Sequence, residues 1–360
     1  MTGAPDRILI VSWLTILALG TVMVASASVA ISSTLLLKHG VFLVLGLSVF
    51  AGVLCIPLRW WQRGHRLAWL IAVTLCVLVL VPGVGLEVNG ARRWIGLGAF
   101  SLQAAELAKL MVPIYMAGYL ARFHDELPDN PGAMLRPIGM LAILALLLLL
   151  QPDFGSVVVL GVTACALLFI AGARLRHFFL LVVAGAALLG ALAVLQPYRM
   201  QRLASFVDPW AFAFGSGYQL TQALIAFGRG EIFGLGLGEG IQKLFYLPEA
   251  HNDFIFAVIA EELGLVGALC VLALFAVLVI RIFRVGRNAL AVGDHFGGFL
   301  VYGIGLLLGL QCLINLGVNT GVLPTKGLTL PFVSYGGNSL LVSCAMLGLV
   351  VRVQLEDGSV

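Results

Sequence analysis

Ten apolar stretches, each close to the length needed to cross a bilayer, dominate this sequence and fix what it can fold into. A helix covers the hydrocarbon core with about 20 apolar residues. The runs at 8–31, 35–58, 67–86, 105–122, 134–151, 155–173, 177–196, 254–281, 296–319 and 334–353 meet or approach that length. Hydrophobic residues make up 61% of the 360 and charged ones 11%, against about 45–50% and about 25% in soluble domains. One or two soluble cores could not bury that surface, which excludes a soluble enzyme, a secreted disulfide scaffold and a disordered chain. The sequence predicts an all-α polytopic membrane protein, a single integral membrane domain over 1–360 with about ten transmembrane helices. The first run is too long for a signal-peptide core and reads as a retained span. Cys55, Cys76, Cys165, Cys270, Cys312 and Cys344 lie in or beside apolar runs without a CxxC pair, and read as small buried hydrophobes.

One step along the chain has two readings. Gln151-Pro152-Asp153-Phe154-Gly155 interrupts the apolar stretch from 134 to 173, as a tight hairpin between two helices or as one broken helix. Lys and Arg concentrate in short cytoplasmic loops, and that rule favours the hairpin. With ten spans and the N-terminus inside, 12 of the 21 basic residues fall on the cytoplasmic side, among them Arg59, Arg63, Arg66, Arg122, Arg136 and Arg352. A single broken helix would put Arg281, Arg284 and Arg287 outside. Ten spans with both termini cytoplasmic are therefore expected. The outer face then carries residues 197–253, a large extracytoplasmic loop between helices 7 and 8. Apolar stretches such as Leu220 to Phe227 make it ordered and partly membrane-laid. Long loops of this kind usually serve function, so the chemistry is expected on that face. The net charge of +4 gives no ground for nucleic acid as a partner.

Charges near membrane depth are costly and usually functional. Glu106 and Lys109, three apart at the start of the fourth span, share a helix face and can pair. Asp153 reads as a turn or cap residue ahead of a new helix, or as a functional acid. Asp253 stands where the outer loop enters the eighth span, with Glu249, His251 and Asn252 crowding the same turn. It is either a helix cap or a reactive acid. Of Glu261 and Glu262, two turns on, only one is expected to face inward, against an Arg or Lys. Residues 321–339 hold two prolines and four glycines between two spans. They form either a plain re-entrant loop or a cradle in which Ser334, Gly336 and Gly337 offer a hydroxyl and backbone N–H groups to an anion such as pyrophosphate. Lys326 would add a point charge. Arg92-Arg93 before Trp94 reads as a phosphate site or an interfacial anchor. The glycines from Gly234 to Gly240 lack the preceding strand of a nucleotide loop and read as a flexible loop.

Arg93-Trp94-Ile95, Gln103 to Lys109, Gln151 to Gly155, Tyr246 to Phe254 and Pro324 to Ser339 together resemble the SEDS family (shape, elongation, division, sporulation) over nearly the whole chain. Leu323 to Pro331 and Phe245 to Phe254 look more like its cell-division branch than its elongation branch. The sequence departs from the family pattern at Ala104, where proline is frequent, and at Asn338, where serine is. The resemblance implies a peptidoglycan glycosyltransferase of the bacterial cytoplasmic (inner) membrane, polymerising lipid II at the outer leaflet for septal wall synthesis. It implies a class B penicillin-binding protein transpeptidase as partner, FtsI-like in the division branch or PBP2-like in the elongation branch. The division regulators FtsQ, FtsL and FtsB are implied around it. The family's essential acid matches Asp253, as general base or as ligand of a divalent cation (Mg or Mn). On that reading Lys326, Arg93, Ser334, Gly336, Gly337 and His251 contact the substrate. Glu106, Lys109, Asp153 and Trp94 shape the cavity. A lipid II flippase would instead spread its charges through the bilayer midplane and show inverted repeats. A non-catalytic scaffold for the division complex would need no acid at the lip of a cavity.

Overall fold

The computed structural model describes residues 5–29, 33–88, 90–98, 100–194 and 197–357. Their helices are α1 (Arg7–Ser28), α2 (Ser33–Cys55), α3 (Leu58–Arg63), α4 (His65–Leu80), α5 (Ala104–Phe123), α6 (Pro131–Leu150), α7 (Phe154–Ile170), α8 (Leu175–Val194), α9 (Pro197–Val207), α10 (Tyr218–Gly230), α11 (Ile255–Ala291), α12 (His295–Asn319) and α13 (Gly337–Asp357). The ten expected spans fall on α1, α2, α4 to α8 and α11 to α13. Of these, α1, α2, α6, α11, α12 and α13 are long and apolar enough to cross a membrane, and α4, α7 and α8 are shorter apolar helices. The ends of two expected spans, residues 30–31 and 195–196, lie outside the described residues.

Capping chemistry sets several boundaries. The Asp6 carboxylate accepts from Ile8 N and Leu9 N to start α1. Asn130 accepts from Gly132 N, with Pro131 in the first turn of α6. Asp294 accepts from Gly297 N to start α12. The interruption at 151–153 is a turn between two helices that pack on each other, α6 and α7, as the charge pattern required. The third span is shorter than its apolar run. Pro82 and a left-handed Gly83 (φ +87°) stop α4 at Leu80, so 81–86 leave the helix.

Segment 85–103 departs from the all-α expectation. Strands β1 (Gly85–Val88), β2 (Ala91–Leu97) and β3 (Phe100–Gln103) form an antiparallel sheet in the order β1-β2-β3. Gly90, at φ +74°, supplies the left-handed residue needed between β1 and β2. Across β2 and β3, Trp94 stands opposite Gln103 and Ile95 opposite Leu102. The sheet caps the same end of the bundle as the start of α5.

The core centres on α12, which packs against α11, α5, α7 and α13. Its glycines let neighbours approach closely; Gly303 meets Leu167 and Pro113, the small-residue packing that membrane helices favour. At the opposite end of the bundle, Asp6 pairs with Arg281 of α11 and its N–H donates to Gln354 of α13 (3.0 Å). Arg352 of α13 donates to Leu54 O of α2 (3.0 Å).

Candidate active site

Three amides on one face of α12 build the floor of the site. Gln311, Asn315 and Asn319 recur every fourth residue in an otherwise apolar helix, and all three are buried. Gln311 Nε2 donates to Thr329 O (3.2 Å). Asn315 Nδ2 donates to Leu328 O (2.6 Å) and to Asp253 O (2.9 Å). Asn319 Nδ2 donates to Asp253 O (3.0 Å), and its Oδ1 accepts from Ala257 N (3.1 Å). One helix thus holds both irregular segments, the turn before α11 and the loop before α13. The backbone groups those segments leave open are satisfied by side chains, as irregular backbone at membrane depth requires.

Asp253 sits at the seam between these segments. A Cβ at Gly327 would come within 2.9 Å of its Oδ2, so the loop before α13 passes directly against the carboxylate. Ser334 fastens the seam further: its hydroxyl donates to Asn252 O (2.7 Å) and accepts from Leu330 N (2.8 Å). Tyr335 N donates to His251 O (2.9 Å), and the Tyr335 ring lies 5.6 Å from the His251 ring. The expectation of an exposed Ser334 hydroxyl is therefore corrected. Ser334 is buried and its hydroxyl is spent on the loop, because the two segments it joins have no ladder of their own. Gly336 and Gly337 are partly exposed and open α13, where first-turn N–H groups have no partner within the helix.

Charge converges on Asp253 from three further elements. Lys109 and Glu106 of α5 form the expected pair (2.6 Å), with Lys109 1% exposed. Arg93 of β2 donates through Nε to Gln151 O (3.0 Å) and through a terminal nitrogen to Pro152 O (2.7 Å), clamping the α6–α7 turn. Arg202 of α9 donates to Thr325 O (2.9 Å). Burial, and then the negative charge of Glu249, push the Asp253 pKa up to about 7; Arg202, Lys109 and Arg93 oppose that rise. Among the described residues no hydrogen bond reaches the Asp253 carboxylate. Burial holds the His251 imidazole below its usual pKa, against Glu249.

The remaining expected site residues spread around this centre. Lys326 is next to the Gly327 contact, and its ammonium stands 4.5 Å from the centre of the Phe154 ring. Asp153 caps α7, accepting from Ser156 N (3.1 Å) and Ser156 Oγ (2.7 Å). Trp94 lies beside Arg93 in the sheet. Asn338, at a position where the family pattern differs, ties α13 to β3 through Ser101 O (2.7 Å). Sequence reasoning missed Arg202 and the three amides. Nothing local marks Arg202, one basic residue in a long segment. The amides did carry a signal, four-residue spacing within an apolar helix.

Glu261 and Glu262 overturn the expectation that one of them faces away. Both are 0% exposed. Glu261 accepts from Arg229 Nε (3.0 Å), Ile241 N (3.1 Å) and Gln242 N (3.1 Å). Glu262 accepts from Ser26 Oγ (2.7 Å), Lys243 Nζ (2.6 Å) and Gly238 N (3.0 Å). The chain after α10 wraps the start of α11 and brings partners to two sides of the helix. The glycine run, expected as a flexible loop, is the wrapping. Leu235 N and Gly236 N donate to Glu261 O and Glu262 O (both 3.0 Å). A Cβ at Gly234 (φ +80°) would lie 2.2 Å from Glu262 O.

With this geometry in place, likeness to known proteins is decisive. The model of the FTSW_RODA_SPOVE family, described as "Cell cycle protein", matches residues 6–358. The chain belongs to that family. It is 54% identical over 362 residues, covering 99% of this chain and 93% of the relative, to a Nitrosococcus halophilus protein named "Probable peptidoglycan glycosyltransferase FtsW". A Coxiella burnetii protein of the same name is 49% identical, covering 98% and 96%. Among solved structures, a chain from "Structural coordination of polymerization and crosslinking by a peptidoglycan synthase complex" superposes with TM-score 0.79 at 31% identity, covering 98% of each. The Thermus thermophilus rod shape determining protein RodA superposes with TM-score 0.73 at 31% identity, covering 98% of this chain and 97% of that one.

Proposed function

We propose that this protein is a peptidoglycan glycosyltransferase that polymerises lipid II into glycan strands for septal wall synthesis, with Asp253 as its general base. The observation that carries the reading is a carboxylate raised to about 7 at the meeting point of Arg93, Lys109 and Arg202. Full-length relatives named for this activity support it. Glycosyl transfer from a lipid pyrophosphate forms a bond between an acceptor hydroxyl oxygen and the donor's anomeric carbon, and breaks the bond from that carbon to pyrophosphate. The acceptor loses a proton, and a base with pKa near the working pH takes it most effectively. The leaving pyrophosphate gains charge, which fixed cations stabilise best in a dry site. Asp253 takes the proton, while Arg202, Lys326 and Arg93 offer positive charge to the pyrophosphate and the buried Lys109 adds its field from below. Glu106 holds Lys109 in place. A divalent cation would be held by the Asp253 carboxylate together with oxygens of the substrate's pyrophosphate, and would supply positive charge to the leaving group.

The distribution of basic residues supports both termini in the cytoplasm of a bacterial inner membrane. The Asp253 mouth and the 197–253 segment then face outward, where lipid II presents its sugars and a class B penicillin-binding protein, FtsI-like, would crosslink the product. The test is polymerisation of labelled lipid II by purified protein with its transpeptidase partner, with moenomycin silencing classical glycosyltransferases. Glycan chains from the wild type and none from Asp253→Asn are expected. Chains of normal length from Asp253→Asn would refute the assignment, and lipid exchange between leaflets without chains would favour a flippase.

A further inference from the structure

A cavity lies at the end of the bundle far from Asp253. Helix α5 runs from Lys109, beside Asp253, to Arg122, about 20 Å away at 1.5 Å per residue. There α4, α5 and α6 enclose about 400 Å³ lined by Arg66, Arg122, Arg136, Trp69, Tyr115 and Tyr119, within the range of ligand sites. The walls are fixed. Tyr119 Oη donates to Ala133 O (2.6 Å) and Trp69 Nε1 to Met140 O (3.3 Å). A Cβ at Gly118 would strike the His65 ring at 2.3 Å, so this glycine lets α4 and α5 close on each other at the rim.

The three guanidinium groups are exposed, and among the described residues none forms an ion pair with a carboxylate. Two of the three neighbouring acids are engaged elsewhere: Asp125 faces His124 (3.3 Å) and Asp129 pairs with Arg174 (2.7 Å). Glu126 acts on Tyr119, as Arg136 does. Arg122 lies over the Phe123 ring (5.6 Å). A concave site with three positive groups and no paired carboxylate calls for a phosphate. Leu70 lines the site while 51% exposed, and Leu67 beside it is 59% exposed. That apolar track leads away from the arginines along the lipid-facing side of α4, as an acyl chain would. Aromatic rings at this level match the headgroup zone of a bilayer, and basic pockets between spans suit anionic headgroups.

We propose that this pocket binds the headgroup phosphate of an anionic glycerophospholipid, from the leaflet opposite the one Asp253 serves. The proposal is independent of the role given to Asp253. The test uses the full chain in detergent, titrated with phosphatidylglycerol and read by native mass spectrometry, with phosphatidylcholine and inorganic phosphate as comparison ligands. One tightly retained phosphatidylglycerol is expected. Each arginine neutralised should weaken it about five-fold, and Arg66→Gln/Arg122→Gln/Arg136→Gln about a hundred-fold. The corresponding triple Lys variant should stay within about ten-fold of wild type, since a point charge replaces each fork. A charge-matched control, Arg59→Gln/Arg63→Gln/Arg284→Gln, should bind as the wild type does. If the triple Gln variant does not fold, Arg136→Gln alone decides by its five-fold effect. Equal retention of phosphatidylcholine, full competition by millimolar phosphate, an equal loss in the control or no loss on neutralisation would each overturn the proposal.

Discussion

Two acidic sites stand less than three helical turns apart at the start of α11, and they are built in opposite ways. Glu261 and Glu262 are saturated: each has a cationic partner and backbone donors, and glycines close over them. Asp253 has its backbone carbonyl held by two asparagines while its carboxylate accepts no hydrogen bond from a described residue. Its neighbours Arg93, Lys109 and Arg202 are engaged by carbonyls and Glu106, acting on it through space. Saturation makes a buried carboxylate inert and structural. Withholding hydrogen bonds while fixing the backbone leaves it basic enough to work near neutrality.

The contrast can be broken at either site. The largest effect is expected from Asp253→Asn, which should lower polymerisation by about 10²–10⁴ yet leave the protein folded. The wild-type acid is raised from 3.8 to about 7, so the folded state holds the proton more tightly than the unfolded state. Wild-type stability therefore falls as pH rises from about 4 to about 7. Asp253→Asn escapes that fall. Thermal unfolding should show the variant more stable than wild type at pH 8 and equal to it near pH 4. A variant less stable at pH 8 would mean that Asp253 is saturated after all.

At the other site Glu262→Gln leaves Lys243 buried beside a neutral partner and should cost about 3–5 kcal/mol. Denaturant unfolding measures it, and a cost below about 1 kcal/mol would show that the pair is not buried in membrane or micelle. The pH profile comes next. If ionised Asp253 is the base, kcat/KM for lipid II should fall about ten-fold per pH unit below 7 and level off above it. A flat profile between pH 5 and 7 would remove the proton-transfer role. The smallest effect is local: Asp153→Ala loses the α7 cap and should cost about 1 kcal/mol, with polymerisation rates unchanged at saturating lipid II.

Much of the architecture was legible in the sequence because membrane solvent imposes a length on every apolar run. The hairpin at 151–153 could be resolved because Arg281, Arg284 and Arg287 had to lie on one side. Asp253 stood out as an acid where a polar loop enters a span. The sheet at 85–103 was not legible, since three strands of four to seven residues leave only weak alternation. Arg202 reaches the site only through the path of α9, which no spacing encodes. The inward turn of both glutamates depends on partners from 229 to 243 and on Ser26 of α1, distant from any helical register with α11. Sequence periodicity describes what one helix presents, and these contacts are made by what wraps around it.

The amide ladder of α12 has a mechanical consequence. Because Asn315 grips both the Asp253 turn and Leu328, and Asn319 and Gln311 repeat the hold above and below, that wall behaves as one casting. The opposite wall is assembled from a short sheet and an eleven-residue helix. The two walls are stitched together, because Arg202 reaches across to Thr325 O in the loop the ladder holds, while Arg93 is fastened to the α6–α7 turn. The acid is the fixed anvil of the site, and the cations reach it from lighter elements bolted to the same block.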